Sequence, residues 1–227
     1  MRAEAVLDNP VWAALHGPHA HLAEAHGDAA RYRPDVATFH ALADPTDVRG
    51  WRDLAALTDP GAVILVTGTG PPRPAGWETV DSIPGVQLVD VALRAAADPE
   101  AVPLTDRDVP DMLALVRRTE PGPFRERAVE LGTYLGIRRD GVLVAMAGER
   151  LHPPGWTEIS AVCTDSEHRG QGLATRLVRA LAAGIRARGE TPFLHAAAEN
   201  TTAIRLYSSI GFALRRETTF GLYRSPA

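Results

Sequence analysis

The sequence predicts an α/β chain, and three observations predict it. Residues 158–164 alternate in polarity, carry Ile159, Val162 and Thr164, and read as a strand. Residues 173–185 place Leu173, Leu177, Val178, Leu181 and Ile185 on one helical face. Between them stands a short loop, Arg169-Gly170-Gln171-Gly172, and Gly189 follows the helix as a stop.

The first part of the chain alternates helix and strand less sharply. Asn9-Pro10 is a cap followed by a first-turn proline, opening a helix through Val11, Trp12 and Leu15 that Gly17-Pro18 interrupts. Residues 46–57 read as a second helix, apolar at Val48, Trp51, Leu54 and Leu57, and Asp59-Pro60-Gly61 breaks it. Residues 62–66 read as a buried-type strand. Residues 68–76 are a Gly- and Pro-rich loop, where prolines at 71, 72 and 74 rule out a phosphate-binding helix start. Residues 86–93 read as a strand. Residues 97–100 are the expected linker, dividing an N-terminal α/β region (1–97) from a second unit (98–227).

The second unit is more legible. A helix is expected over 108–118. Strands over 133–138 and 142–149 are joined by Asp140-Gly141, a two-residue hairpin turn. After the glycine loop and its helix comes a strand over 193–197. Asn200 then caps a helix with Ala203, Ile204, Leu206 and Tyr207. Gly211-Phe212 closes that helix and opens a terminal hairpin.

Strand, glycine loop and helix together build an anion site from backbone. The glycines let the main chain approach a ligand closely. The helix turns its unpaired N–H groups and positive dipole end toward it. A pyrophosphate is the natural occupant. Two other phosphate loops are excluded: the chain has no lysine, and Thr175 stands where a dinucleotide loop needs its third glycine.

Arg169-Gly170-Gln171-Gly172-Leu173-Ala174, followed by a block from Asn200 through Tyr207 to Gly211-Phe212, resembles the GNAT superfamily of acyl-CoA-dependent N-acyltransferases. The likeness covers residues from about 100 to 225. It implies a mixed twisted sheet with helices on both faces, and acetyl-CoA bound where two parallel strands splay, here 158–164 and 193–197. Val162, Cys163 and Thr164 would pair with the pantetheine arm. Arg169, Gly170, Gln171, Gly172, Leu173 and Ala174 would wrap the pyrophosphate, and Asn200 would stand near the cofactor arm as well as capping its helix. Tyr207 matches the tyrosine that protonates the departing thiolate. Glu158 is the candidate base, with Glu149, His195 and a water chain as alternatives, and backbone N–H near Val162 would serve the oxyanion. Tandem members of the superfamily exist, so residues 1–97 are expected to be a worn GNAT-like half or an accessory region. The acceptor site is expected near residues 121–124 and 152–156.

These features imply an N-acetyltransferase acting on a primary amine. A catalytically degenerate acyl-CoA sensor or interaction module is the alternative. Net charge of −4 argues against nucleic acid as a partner and mildly favours a cationic one. An arginine-only basic set with much Ala, Gly and Pro suggests a GC-rich bacterial genome. The single cysteine, Cys163, forms no internal disulfide and is expected in a core strand. No metal-ligand pattern is present. With no long apolar run and no signal-peptide pattern in residues 1–8, a cytoplasmic protein is expected.

Overall fold

The computed structural model describes residues 4–68 and 75–227. The expected loop at 68–76 therefore lies largely outside the described residues, as do the first three residues of the chain.

Helix α1 (Pro10–Leu15) begins as expected, with the Asn9 side chain accepting from the Trp12 N–H and Pro10 in the first turn. Three short strands follow, β1 (Ala23–His26), β2 (Ala29–Tyr32) and β3 (Phe39–Leu42). They carry no signal that sequence reading used. Helix α2 (Val48–Ala56) is capped by Asp47, and β4 (Val63–Thr67) succeeds it. Strand β5 (Glu78–Asp90) is far longer than the expected one and runs through Pro84 and Gly85. Then come β6 (Val102–Leu104), α3 (Val109–Thr119), β7 (Tyr134–Arg139) and β8 (Val142–Glu149). Asp140 and Gly141 take φ of 49° and 81° in the hairpin turn, the left-handed conformation a tight two-residue turn demands. Strand β9 (Trp156–Thr164), helix α4 (Leu173–Ala187), strand β10 (Thr191–Ala197) and helix α5 (Thr201–Ile210) complete the predicted series.

The terminal hairpin is corrected. Residues 212–224 form one strand, β11 (Phe212–Arg224), and its partner comes from the first part of the chain. The sheet order is β1-β2-β3-β4-β11-β5-β10-β9-β8-β7-β6. The two central strands, 13 residues each, pair antiparallel with one another. Each also completes the other half of the sheet: β11 pairs with β4, and β5 with β10. Apart from the edge strand β6, which has no counterpart, the halves match strand for strand. β1–β2–β3 and β7–β8–β9 are antiparallel runs, while β3–β4 and β9–β10 are parallel pairs. Helix α2 connects the first parallel pair and α4 the second. The sheet thus has an approximate two-fold relation centred between β5 and β11.

Both faces are covered, because alternate residues of each strand belong to different cores. Met146 and Phe193 pack with α1 and α3 residues such as Val11, Met112 and Leu115. Ala145, Ala147 and Leu194 pack with α4 and α5 through Leu177, Leu181 and Tyr207. A further cluster joins Trp51 and Leu54 of α2 to Ile64, Val66, Trp77 and Tyr223. Since the first cluster mixes residues from both halves, residues 4–68 do not hang from a linker. Asp98, in the expected linker, is tied to α4 by a two-pronged ion pair with Arg176 at 2.6 and 2.8 Å.

Candidate active site

Strands β9 and β10 pair in parallel at Trp156, Thr157 and Glu158, the last opposite Phe193, and then part. On its other side β9 carries a bulge. Gly148 faces Ser160 and Met146 faces Cys163, so Ala147 alone opposes both Ala161 and Val162. Ala161 takes φ of 52°, a conformation costly for a residue with a Cβ. Strain and splay coincide, and between the parted strands lies a cleft of about 1390 Å³.

The glycine loop ends one arm of this cleft. Gly170 and Gly172 take φ of 77° and 74°, which favours glycine strongly. Gly172 is the N-cap of α4, so the first N–H groups of a 15-residue helix open toward the loop. Nothing crowds either glycine. Two buried polar atoms among the lining residues, Thr164 Oγ1 and His168 Nδ1, have no hydrogen-bond partner in the protein. Such orphaned atoms are uncommon and suit a polar ligand.

Most of the residues expected to form the site share this cleft. Val162, Cys163, Thr164, Arg169, Gly170, Gly172, Leu173, Ala174, Asn200 and Tyr207 all line it. Gln171 does not. Asn200 caps α5, its side-chain oxygen accepting from the Ala203 N–H at 3.1 Å. Tyr207 is buried, and burial lifts its phenol to about 12, so it keeps its proton at neutral pH. Burial likewise pushes the Cys163 thiol up, leaving a small apolar side chain and not a thiolate.

Glu158 is placed differently from its expectation. Its side chain is fully buried and does not reach the cleft. Burial alone would raise its pKa. The Arg150 guanidinium, donating to both oxygens at 2.8 and 2.6 Å, and the His195 ring hold it down at about 2. His195 Nδ1 lies 2.7 Å from Glu158 Oε1, and His195 Nε2 lies 3.1 Å from Gln87 Nε2. The Gln87 carbonyl accepts from Arg215 at 2.8 Å, which turns its amide nitrogen toward the ring. His195 Nδ1 therefore donates to the Glu158 carboxylate, while Nε2 faces the Gln87 amide. Arg150 and His195 do line the cleft, with Glu158 locked behind them. Glu149 is sealed elsewhere, bound to Arg188 at 2.9 Å and to the Thr133 N–H.

The segments expected near the acceptor divide. Pro121, Gly122 and Pro123 line the cleft, but residues 152–156 do not. His152 packs against His19, ring centroids 4.8 Å apart, in the seam between the halves. Sequence reading missed Phe39, Leu65, Ile83, Phe220 and Leu222, which lie on the exchanged strands and their neighbours. A signal for the Arg150–Glu158 pair did exist. The two flank Pro153-Pro154-Gly155, and Arg150 N–H donates to the Glu158 carbonyl across that turn at 3.0 Å.

Among the described residues, no group of histidine, cysteine and carboxylate side chains is arranged to hold a metal ion. No helix of the described residues is long and apolar enough to cross a membrane.

Comparison with known proteins agrees with this fold. The model of the FR47-like protein family matches residues 134–221. A putative GNAT-family acetyltransferase from Novosphingobium aromaticivorans has 41% sequence identity and a TM-score of 0.89, over 97% of this chain and 99% of that one. A GCN5-related N-acetyltransferase from Kribbella flavida, at 20% identity and a TM-score of 0.61 over 90% of this chain and 89% of that one, shares the fold. The N-alpha-acetyltransferase RimI of Mycobacterium tuberculosis is 38% identical over 96 residues, which is 40% of this chain and 60% of that protein. An uncharacterized protein of Mycobacterium leprae is 29% identical over 81% of this chain and 58% of its own length. The chain thus spans about three fifths of the length of these curated relatives. Near-complete coverage at 41% identity places the chain in the GNAT family of acetyltransferases.

Proposed function

We propose that the protein transfers the acetyl group of acetyl-CoA to a primary amine of a small molecule or protein, by direct attack in a ternary complex. The observation that carries this reading is the single cleft in which the glycine loop, the unpaired stretch of β9 and Tyr207 meet. The loop and the α4 N-terminus hold the pyrophosphate, with Thr164 Oγ1 and His168 Nδ1 as further polar partners. Backbone near Val162 at the bulge donates to the carbonyl oxygen as charge develops. Tyr207, protonated at neutral pH, supplies a proton to the departing thiolate.

The amine proton leaves to water in the cleft and not directly to Glu158. Both oxygens of that carboxylate are engaged, and its basicity is low. Glu158 acts as a positioning group for Arg150 and His195. Residues 98–227 carry the transferase site. Residues 1–97 are a degenerate GNAT-like half: their strands β1 to β4 repeat the pattern of β7 to β10, but the connection from β3 to α2 holds no glycine.

Two measurements test this. Calorimetry should show one acetyl-CoA bound per chain, and thiol release should depend on added amine. Tyr207→Phe should keep acetyl-CoA affinity and lower turnover by about 10²–10⁴-fold, the scale for losing a general acid. Acetyl-CoA binding without thiol release across a broad amine panel would favour the sensor instead.

A further inference from the structure

The far arm of the cleft, away from the glycine loop, has a chemistry of its own. Phe39 on β3 pairs with Leu65 on β4, Leu65 with Leu222 on β11, and Phe220 on β11 with Ile83 on β5. Paired residues, and residues two apart on one strand, share a sheet face. The five side chains therefore form one apolar floor across four strands. His195 and Arg150 border it, the His195 ring 5.9 Å from Phe220 and the Arg150 guanidinium 4.8 Å from the Phe39 centroid.

This floor is a built feature. Gly85 lies beneath Phe220, and a Cβ there would collide with the ring at Cε2. Glycine in mid-strand lets an aromatic ring lie down on the sheet. The charges nearby are already spent, since Arg150 is neutralised by Glu158. The carboxylates among the described lining residues, Glu120 and Glu199, are exposed and sit at the end of α3 and before α5. A polycation thus finds no buried counter-charge on this floor, whereas an apolar skeleton finds aromatic and branched walls.

We infer that this floor is the acceptor subsite, and that it selects primary amines with an apolar carbon skeleton, arylalkyl above all, over polyamines. The inference rests on the acetyl-transfer reading for the chemistry, but not for the binding. Phe220 and Gly85 are its specificity-determining residues. The N-terminal half, through Phe39, Leu65, Ile83 and Gly85, supplies selectivity and no cofactor contact.

The test uses the full chain with 2-phenylethylamine and spermidine as probes. With acetyl-CoA, kcat/KM for 2-phenylethylamine should exceed that for spermidine by about 10–100-fold, the range an apolar pocket can deliver. Phe220→Ala should raise KM for 2-phenylethylamine about tenfold or more with kcat nearly kept, as for lost uniform binding, while acetyl-CoA affinity is unchanged. Phe220 is only partly buried, so its truncation leaves the cores intact. Gly85→Ala should lift the ring into the subsite and shift preference from 2-phenylethylamine toward isobutylamine. Calorimetry of 2-phenylethylamine on coenzyme A-saturated protein separates the two readings. Binding without turnover keeps the subsite and overturns the transferase. Equal or better use of spermidine, or variants that alter acyl-chain preference and leave amine preference alone, overturns the subsite.

Discussion

The two halves of the sheet offer the same place for a ligand and equip it in opposite ways. In each, a strand pairs in parallel with its neighbour for a few residues and then leads through a loop into a helix: β3 into α2, β9 into α4. The second loop has two left-handed glycines and an uncapped helix start. The first has Ala43-Asp44-Pro45-Thr46-Asp47. Asp44 accepts from the Thr46 N–H, and Asp47 from the Arg49 N–H, both at 2.8 Å. The N–H groups that would face a phosphate are thus occupied by the chain's own carboxylates, whose charge also repels one. The last residue of the parallel pairing differs likewise. The second half puts an ionised Glu158 there, while the first puts His40, kept neutral by burial at a pKa of about 4. One topology thus carries open helix N–H groups behind two left-handed glycines in one half and a carboxylate-filled helix start in the other.

The largest expected effect sharpens the role of Glu158. Glu158→Gln leaves Arg150 buried without its counter-charge. Breaking a buried pair in this way costs about 3–5 kcal/mol. Chemical denaturation should show that loss. A general base would instead show near-normal stability with the rise of rate with pH removed, and that result would restore Glu158 to catalysis.

Next is the loop itself. Gly172→Val has room for its side chain but must hold φ near 74°, so strain acts without a clash. Acetyl-CoA binding should weaken by about 1–3 kcal/mol with little change in the far-UV spectrum. Unchanged affinity in a folded variant would remove the loop from the cofactor site.

Much of the second half was legible because its signals are local. The α4 face, the Asp140-Gly141 turn, the Asn200 cap and the glycine loop each lie within a few consecutive residues. The first half withheld its strands for physical reasons. Ala23-Glu24-Ala25-His26 and Ala29-Ala30-Arg31-Tyr32 are alanine-rich, so propensity speaks for helix and tertiary pairing overrides it. In β5, Pro84 and Gly85 read as a break, yet the strand continues because β10 and β11 enclose it. The exchange of β5 and β11 is a contact across more than a hundred residues, and no local pattern encodes it. The same distance hid the acceptor floor, assembled from Phe39, Leu65, Ile83, Phe220 and Leu222. Glu158 was recognised as important, but its state depends on Arg150, just past the end of β8, and on His195 of β10.

A third variant probes the silent half. Asp47→Ala removes the α2 cap and should lower Tm by about 2–4 °C, the consequence of one lost cap in a chain of this size. Acetyl-CoA affinity should stay at the wild-type value, because the freed N–H groups still lack a glycine loop. A second acetyl-CoA bound by this variant would show that the cap alone had silenced the first half.

The last expected effect is a slope with pH, and it originates in the seam. His19 is buried between the halves, its Nδ1 2.8 Å from the Tyr32 hydroxyl and its Nε2 3.1 Å from the Leu131 carbonyl. Burial, with His152 and His21 adding to it, lowers its pKa from 6.5 to about 3. His40 is lowered to about 4, chiefly by burial. The unfolded chain therefore binds these protons at a higher pH than the folded one does. Stability should be fully present above about pH 6.5 and should fall as pH drops toward 4, with each group contributing at most about 1.4 kcal/mol per pH unit. Glu158 adds its own loss lower down, between its ordinary value of 4.5 and about 2. Urea midpoints from pH 8 to 4 measure the upper window. His19→Gln should lower stability at pH 8 yet flatten the slope between 6.5 and 4. If the wild-type midpoint stays level down to pH 4, these histidines do not stay neutral in the folded protein, and the seam between the halves is open to protons.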